Sequence, residues 1–196
     1  MVPSKDSLVL FFLFCLKGRI EKMRIFLVAG KAGSGKNEVA KIIKSYYIYK
    51  LQECAITSYS KYIKNFVFEL TDWNGSNETK PRDFMQELAD KIRNYDPDYF
   101  TRNMLRDINI YEQYVQNLVI ADVRMPNEID MIRNNYDEAY AIYVENQFGN
   151  SNLTLEQQAH VTETALESYN DFDITIANDD IDALKDKVFK FLDGIK

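Results

Sequence analysis

Apolar residues occur in two arrangements along the chain, and the two alternate. Short, nearly continuous apolar runs predict buried strands at 24–29, 54–58, 118–121, 139–144 and 173–177. Between them, apolar residues recur at every third or fourth position, which predicts amphipathic helices. These helices are expected at 37–49, 61–70, from Pro81 onward, at 99–114, 127–134 and 154–168, and at the C-terminus. The alternation predicts an α/β fold, a three-layer αβα sandwich with a mainly parallel central sheet.

A glycine-rich segment, Gly30 to Asn37, joins the first predicted strand to the first predicted helix. It matches the pattern G-x-x-x-x-G-K, in which glycines let backbone N–H groups surround a phosphate and the lysine reaches the outer phosphates. Asn37 stands where a serine or threonine would contact magnesium. An ordinary glycine-rich turn with an incidental lysine is the alternative. The predicted phosphate-binding residues are Gly30, Ala32, Gly33, Ser34, Gly35, Lys36 and Asn37.

Ligands of parallel sheets bind at the carboxyl ends of the strands. That rule places the glycine-rich loop, residues 58–61, residues 122–124 and the loop after Val144 around one crevice. Asp122 ends an apolar run, which suits a metal-orienting carboxylate, although an aspartate there could instead cap a turn.

Several cations are candidates for binding phosphate groups, because phosphoryl transfer requires mainly positioning and positive charge. A surface lysine or arginine is usually only solvated, and Arg82 and Arg124 depart from this most clearly because they lie at loop or helix-start positions beside the crevice. The candidates are Lys61, Lys80, Arg82, Arg102, Arg106 and Arg124. By periodicity, His160 is a helix-surface histidine that Glu163, three residues later, could contact.

Composition narrows the class of protein. The net charge of −6 argues against a nucleic-acid binder, and a single histidine excludes a multi-histidine metal site. Cys15 and Cys54 form no disulfide framework, so a reducing cytoplasmic location is expected. The apolar run at 8–16 is half of what a membrane helix requires, so no stable membrane insertion is expected. We expect residues 1–22 to be a dispensable extension and residues 23–196 to form one domain.

Four motifs in order resemble the phage-type deoxynucleoside monophosphate kinases, a group related to nucleoside monophosphate kinases and animal phosphomevalonate kinases. The motifs are Gly30–Lys36, Asp122-Val123-Arg124 with Asn127-Glu128, His160-Val161-Thr162-Glu163, and 173–179. The resemblance extends from Met23 to the C-terminus. It implies a P-loop NTPase fold with a helical acceptor part at about 60–115 and a lid-like segment at about 145–168.

The resemblance also implies an activity, the transfer of the γ-phosphoryl group of ATP, with Mg²⁺, to a small-molecule nucleotide monophosphate. Lys36, Asp122 and Arg124 would be catalytic, and Asn37 and Asp122 would orient the metal. The acceptor would be bound by Lys61, Lys80, Arg82, Arg102, Arg106, Arg124, His160 and Glu163. A homodimer is left open.

Two departures keep other interpretations open. Asn37 replaces a hydroxyl residue, and no lysine or arginine occurs from Glu145 through Ala165, where such kinases tend to carry a lid arginine. The positive charge that a lid arginine would supply would have to come from Arg102, Arg106 or Arg124. A kinase for another phosphorylated acceptor, such as phosphomevalonate, and a nucleotide-binding protein with weakened catalysis are the alternatives.

Overall fold

Five parallel strands form a single sheet in the computed structural model, which describes residues 22–146, 153–178 and 180–195. The strands are β1 (Arg24–Ala29), β2 (Cys54–Thr57), β3 (Asn117–Val123), β4 (Ala139–Asn146) and β5 (Ile174–Asn178). Their order is β2-β3-β1-β4-β5, and every neighbouring pair runs parallel. All carboxyl ends therefore lie at one edge of the sheet, with β1 in the middle.

Helices connect the strands and cover both faces of the sheet. They are α1 (Lys36–Tyr49), α2 (Ser60–Leu70), α3 (Arg82–Tyr95), α4 (Tyr99–Tyr111), α5 (Pro126–Arg133), α6 (Leu155–Ala159), α7 (Val161–Thr164) and α8 (Ile181–Gly194). In the part of the chain that the structure describes, no helix is long and apolar enough to span a bilayer.

Side chains of β1 alternate between two apolar cores. Ile25 and Leu27 pack into the core beneath α2 to α5, whereas Phe26 and Val28 pack into the core beneath α1 and α8. All four are fully buried. Because both faces of β1 are covered, its sequence is apolar throughout instead of alternating with polar residues.

The predicted α/β three-layer fold is confirmed, and each predicted strand is present within two residues of its expected ends. One helix prediction is wrong. The segment 154–168 is not a continuous helix, because His160 adopts an extended backbone (φ −62°, ψ 144°) between α6 and α7. The imidazole of His160 accepts a hydrogen bond from the Thr162 N–H, so it caps a new helix instead of lying on a helix surface.

Two parts of the predicted domain organisation fall outside the described residues. They are residues 1–21 of the expected extension and residues 147–152 of the expected lid-like segment. Cys54 is a free, buried cysteine, and burial raises the pKa of its thiol to about 12.

Replacing Leu27 by alanine tests the dependence of the fold on β1. Leu27 is fully buried at the centre of the sheet, so the free energy of unfolding is expected to fall by about 3 kcal/mol in urea titrations. Leu155→Ala is the control, because Leu155 is 84% exposed. A loss of equal size in both variants would contradict this account of the core.

Candidate functional site

The glycine-rich loop follows β1 closely and has no room for side chains at two positions. A Cβ atom on Gly30 would lie 2.5 Å from the carbonyl oxygen of Val144, at the end of β4. Gly30 and Gly35 also have φ values of 143° and 96°, which side chains disfavour. The loop therefore depends on glycine both for its backbone conformation and for its contact with the neighbouring strand.

Lys36, the first residue of α1, lies buried beneath the loop. Its Nζ donates hydrogen bonds to the carbonyl oxygens of Gly30 (2.7 Å) and Lys31 (2.5 Å). Burial, assisted by the nearby Arg124 guanidinium, lowers the pKa of Lys36 to about 7, although Glu163 and Asp122 oppose the shift. The amine is therefore held in place near both the Arg124 guanidinium and the carboxylates of Glu163 and Asp122.

A carboxylate contacts the loop at the position where an anion is expected. The Ala32 N–H donates to Oε2 of Glu163 at 2.7 Å, and the other carboxylate oxygen, Oε1, pairs with the Arg124 guanidinium. The Glu163 side chain is 7% exposed. One carboxylate thus binds both a loop amide and the candidate catalytic arginine, which are the groups expected to bind a phosphate oxygen.

Glu163 belongs to a strap (residues 153–169) that joins the loop to α3. On the loop side, Glu167 pairs with Lys31. On the α3 side, Gln157 donates to Asp83, and Nε2 of His160 lies 2.7 Å from Oδ2 of Asp90. Side-chain contacts from the strap therefore connect the glycine-rich loop with α3.

Asp122 holds the start of α2. Its two carboxylate oxygens accept hydrogen bonds from the backbone N–H groups of Tyr59 (2.6 Å) and Ser60 (3.0 Å). This capping contact is with a helix 62 residues earlier in the chain, not with the turn that follows Asp122. Because each carboxylate oxygen has a second lone pair, the contact does not prevent Asp122 from binding a metal or water.

Glu128 positions the backbone of Arg124. The Glu128 side chain is buried, and it accepts hydrogen bonds from the N–H groups of Arg124 (2.8 Å) and Met125 (3.1 Å). Burial raises the pKa of this carboxyl group to about 7. The sequence pattern alone assigned no role to Glu128, although its spacing of three residues from Met125, the N-cap of α5, is the spacing of a capping glutamate.

Of the predicted acceptor cations, Lys80, Arg82 and Arg124 lie together. Burial lowers the pKa of Lys80, and so does the positive charge of Lys64, Arg82 and Arg124. Lys64, which sequence reasoning missed, joins Lys80 and Arg82 in a cation cluster. Among the residues with described positions, no member of this cluster forms an ion pair.

The remaining predicted cations bind elsewhere. Lys61 contacts Asp107 and Thr57, and Arg102 pairs with Asp96. Arg106 contacts the side chain of Asn103 at 3.5 Å. The assignment of Lys61, Arg102 and Arg106 to the acceptor site stays a prediction, and the contacts that these three residues form do not support it.

A parallel αβα sandwich, with a glycine-rich loop at the end of its central strand and a lysine beneath that loop, defines a P-loop nucleotide-binding fold. The sequence matches the family model of deoxynucleotide monophosphate kinase over residues 50–188, which is more than half of the chain. The protein therefore belongs to the deoxynucleotide monophosphate kinase family. The matched range begins after the glycine-rich loop, so the loop and the family match are separate observations.

The chain is similar to solved structures of other kinases. The APS kinase CysC of Mycobacterium tuberculosis, solved in complex with AMPPNP and APS, has a TM-score of 0.54 and 13% identity, covering 88% of this chain and 99% of that chain. A shikimate kinase from Aquifex aeolicus has a TM-score of 0.48 and 11% identity, covering 88% and 97%. At 13% identity, the likeness to the APS kinase shows the fold alone. No protein with a curated description matches the sequence.

The lowered pKa of Lys36 predicts that ATP binding takes up a proton. At pH 8 the amine of the free protein is mostly neutral, whereas a bound triphosphate favours the charged form. Affinity for ATP should therefore fall as pH rises above 7, by up to about tenfold per pH unit. Calorimetry at pH 8 in buffers of different ionisation enthalpy measures the uptake. Lys36→Arg should bind without it, and a native protein that takes up no proton contradicts the assignment.

Replacing Glu163 by glutamine should strengthen binding of ATP and of pyrophosphate. The carboxylate competes with phosphate for the Ala32 amide and for Arg124, and a neutral amide competes less well. The dissociation constants of ATP and pyrophosphate are expected to fall about 3- to 10-fold, which corresponds to about 1 kcal/mol of binding free energy.

Glu156→Gln is the matched control for this variant. It removes one carboxylate from an exposed position of the same strap and should leave both affinities unchanged. Weaker binding in Glu163→Gln would show that Glu163 assists the phosphate instead of competing with it.

Proposed function

We propose that the protein is an ATP-dependent (deoxy)nucleoside monophosphate kinase that transfers the γ-phosphoryl group to a nucleoside monophosphate with Mg²⁺. The observation that carries the proposal is the Glu163 carboxylate, bound at once by a loop amide and by Arg124 above the buried Lys36. A site that binds a carboxylate with these groups has the donors that a phosphate requires. The family match supports the class of acceptor.

On the donor side, ATP replaces contacts within the protein. Its phosphates take the loop amide from Glu163, and the amine of Lys36 turns from the Gly30 and Lys31 carbonyls toward the β- and γ-phosphates. Arg124 exchanges the Glu163 carboxylate for the transferring group. Each exchange keeps a charge-assisted hydrogen bond for the loop amide, Lys36 and Arg124, whereas the displaced Glu163 carboxylate must move toward solvent.

On the acceptor side, the cation cluster binds the monophosphate. Lys64, Lys80 and Arg82 lie near Arg124, and their mutual repulsion disfavours the free site. A phosphate monoester carries close to two negative charges at neutral pH and relieves that repulsion. Because the attacking phosphate oxygen is already ionised, the reaction requires no general base.

Magnesium fits the residues present at the crevice. Mg²⁺ keeps several waters and usually takes only one or two protein carboxylates in addition to substrate phosphates. Asp122 offers lone pairs that its helix-capping contacts leave free, and the exposed Asn37 offers an amide oxygen. The ion supplies positive charge to the phosphates. In the described residues no cluster of three or more acidic, histidine or cysteine side chains could bind a metal alone, which suits an ion that arrives with nucleotide.

The transfer exchanges one phosphorus–oxygen bond for another. An oxygen of the acceptor phosphate bonds to the γ-phosphorus, and the bond from that phosphorus to the β,γ-bridging oxygen breaks. ADP and a nucleoside diphosphate leave the site. Lys36 and Arg124 balance the negative charge on the transferring group, and the strap excludes water as a competing acceptor.

An acceptor panel tests the proposal. Purified protein with ATP and Mg²⁺ is incubated with each ribo- and deoxyribonucleoside monophosphate and with phosphomevalonate. One ADP per nucleoside diphosphate formed is the expected result. ADP formation only with phosphomevalonate, or nucleotide binding without transfer to any monophosphate, overturns the proposal.

The same assay tests the cation cluster. Lys80→Met should raise KM for the monophosphate about tenfold or more while leaving KM for ATP within about twofold, because the loss removes one charged contact to the acceptor. Lys91→Met is the control, since Lys91 lies on α3 but is 71% exposed and pairs with Glu87. Equal changes in both KM values would contradict the acceptor assignment.

A further inference from the structure

The peptide unit between Ser34 and Gly35, in the glycine-rich loop, contacts a residue far away in the sequence. Nδ2 of Asn178, the final residue of β5, donates a hydrogen bond to the Ser34 carbonyl oxygen at 3.0 Å. A Cβ atom on Gly35 would lie 2.3 Å from the same nitrogen. The loop and the Asn178 amide are therefore fitted closely to each other.

This contact determines where an N–H group of the loop points. In a planar trans peptide, the carbonyl oxygen and the following N–H point in opposite directions. When Asn178 holds the Ser34 carbonyl toward β5, the Gly35 N–H must point away from β5. Gly35 is the N-cap of α1, so its N–H lies at the helix start, where free N–H groups and the helix dipole favour an anion.

Without this hydrogen bond the peptide unit could reverse. Rotation requires only changes in ψ of Ser34 and φ of Gly35, and glycine accepts both signs of φ. The Gly35 φ is already 96°. Among the described residues, no side chain caps the start of α1. A reversed unit would present the Ser34 carbonyl oxygen to the phosphate and repel it.

We propose that Asn178 is a positioning residue for the donor phosphates. It fixes the peptide between Ser34 and Gly35 so that the Gly35 N–H, and not the Ser34 carbonyl oxygen, faces the bound anion. This inference rests on the proposed binding of phosphates by the loop. Asn178 needs no contact with nucleotide to act in this way.

Binding of inorganic tripolyphosphate tests the proposal, because this probe has no base or ribose that Asn178 could contact. In calorimetry, Asn178→Ala and Asn178→Leu should bind it about 10- to 100-fold more weakly than the native protein, as expected when one amide donor to an anion is lost. Asn135→Ala is the control. Asn135 also donates from Nδ2 to a backbone carbonyl, that of Met131 at 2.7 Å, but at the end of α5.

A spectroscopic measurement separates positioning from stability. In ¹⁵N-labelled native protein, which has only seven glycines, the Gly35 amide resonance should shift when tripolyphosphate binds. At saturating probe the shift should be reduced or absent in Asn178→Ala and unchanged in Asn135→Ala. In kinetics, KM for ATP should rise more than kcat falls.

Each other outcome is decisive. A lowered melting temperature with native affinity and a native Gly35 shift in both Asn178 variants overturns the positioning role. A weaker affinity for ATP with native affinity for tripolyphosphate assigns Asn178 to the nucleoside instead, and also overturns it. If the native protein binds neither probe, the failure lies in the proposed function of the loop, and the present inference fails with it.

Discussion

Parallel pairing of five strands is the constraint on which the rest of the molecule depends. A chain that runs each strand in the same direction must return through a helix on a face of the sheet each time. The polar connections that follow the strands are thereby brought to a single edge. β1, in the middle of the sheet and covered on both faces, delivers the glycine-rich loop between the ends of β3 and β4. Asp122 and Arg124 reach the same edge at the end of β3, and Asn178 reaches it at the end of β5.

Charge at this edge is out of balance with the chain as a whole. The protein is acidic overall, yet burial and the positive charge of Arg124 lower the pKa of both Lys36 and Lys80. Glu163 supplies part of the missing negative charge through the loop amide and Arg124. A site of this kind has a net preference for anions that its own side chains satisfy only in part, and it therefore favours a polyphosphate over a single carboxylate.

Local sequence patterns predicted most of the fold. The strands were found because each is a short apolar run, and the loop was found because its glycines and lysine follow such a run directly. The kinase family was recognised from four motifs and is confirmed by the family match over residues 50–188. These features depend on neighbours in the sequence, which is why periodicity and spacing were sufficient.

Contacts between distant residues could not be predicted in this way. The helix break at His160 depends on a side-chain cap and on Asp90, neither of which alters the spacing of apolar residues. Asp122 meets the amides of Tyr59 and Ser60 only after the sheet has formed. Lys64 looks like any helix-surface lysine until α2 packs beside α3. The partner of Asn178 lies 144 residues earlier in the chain.

The double attachment of the strap has a thermodynamic consequence. Glu163 and Glu167 bind the loop and its arginine, while Gln157 and His160 bind α3 beside the cation cluster. A ligand that detaches one end of the strap alters the free energy of ligand binding at the other end, and linkage makes this effect reciprocal. Binding of ATP would then change the dissociation constant of the monophosphate by a certain factor, and binding of the monophosphate would change that of ATP by the same factor. The order in which the two substrates arrive would not alter the stability of the ternary complex.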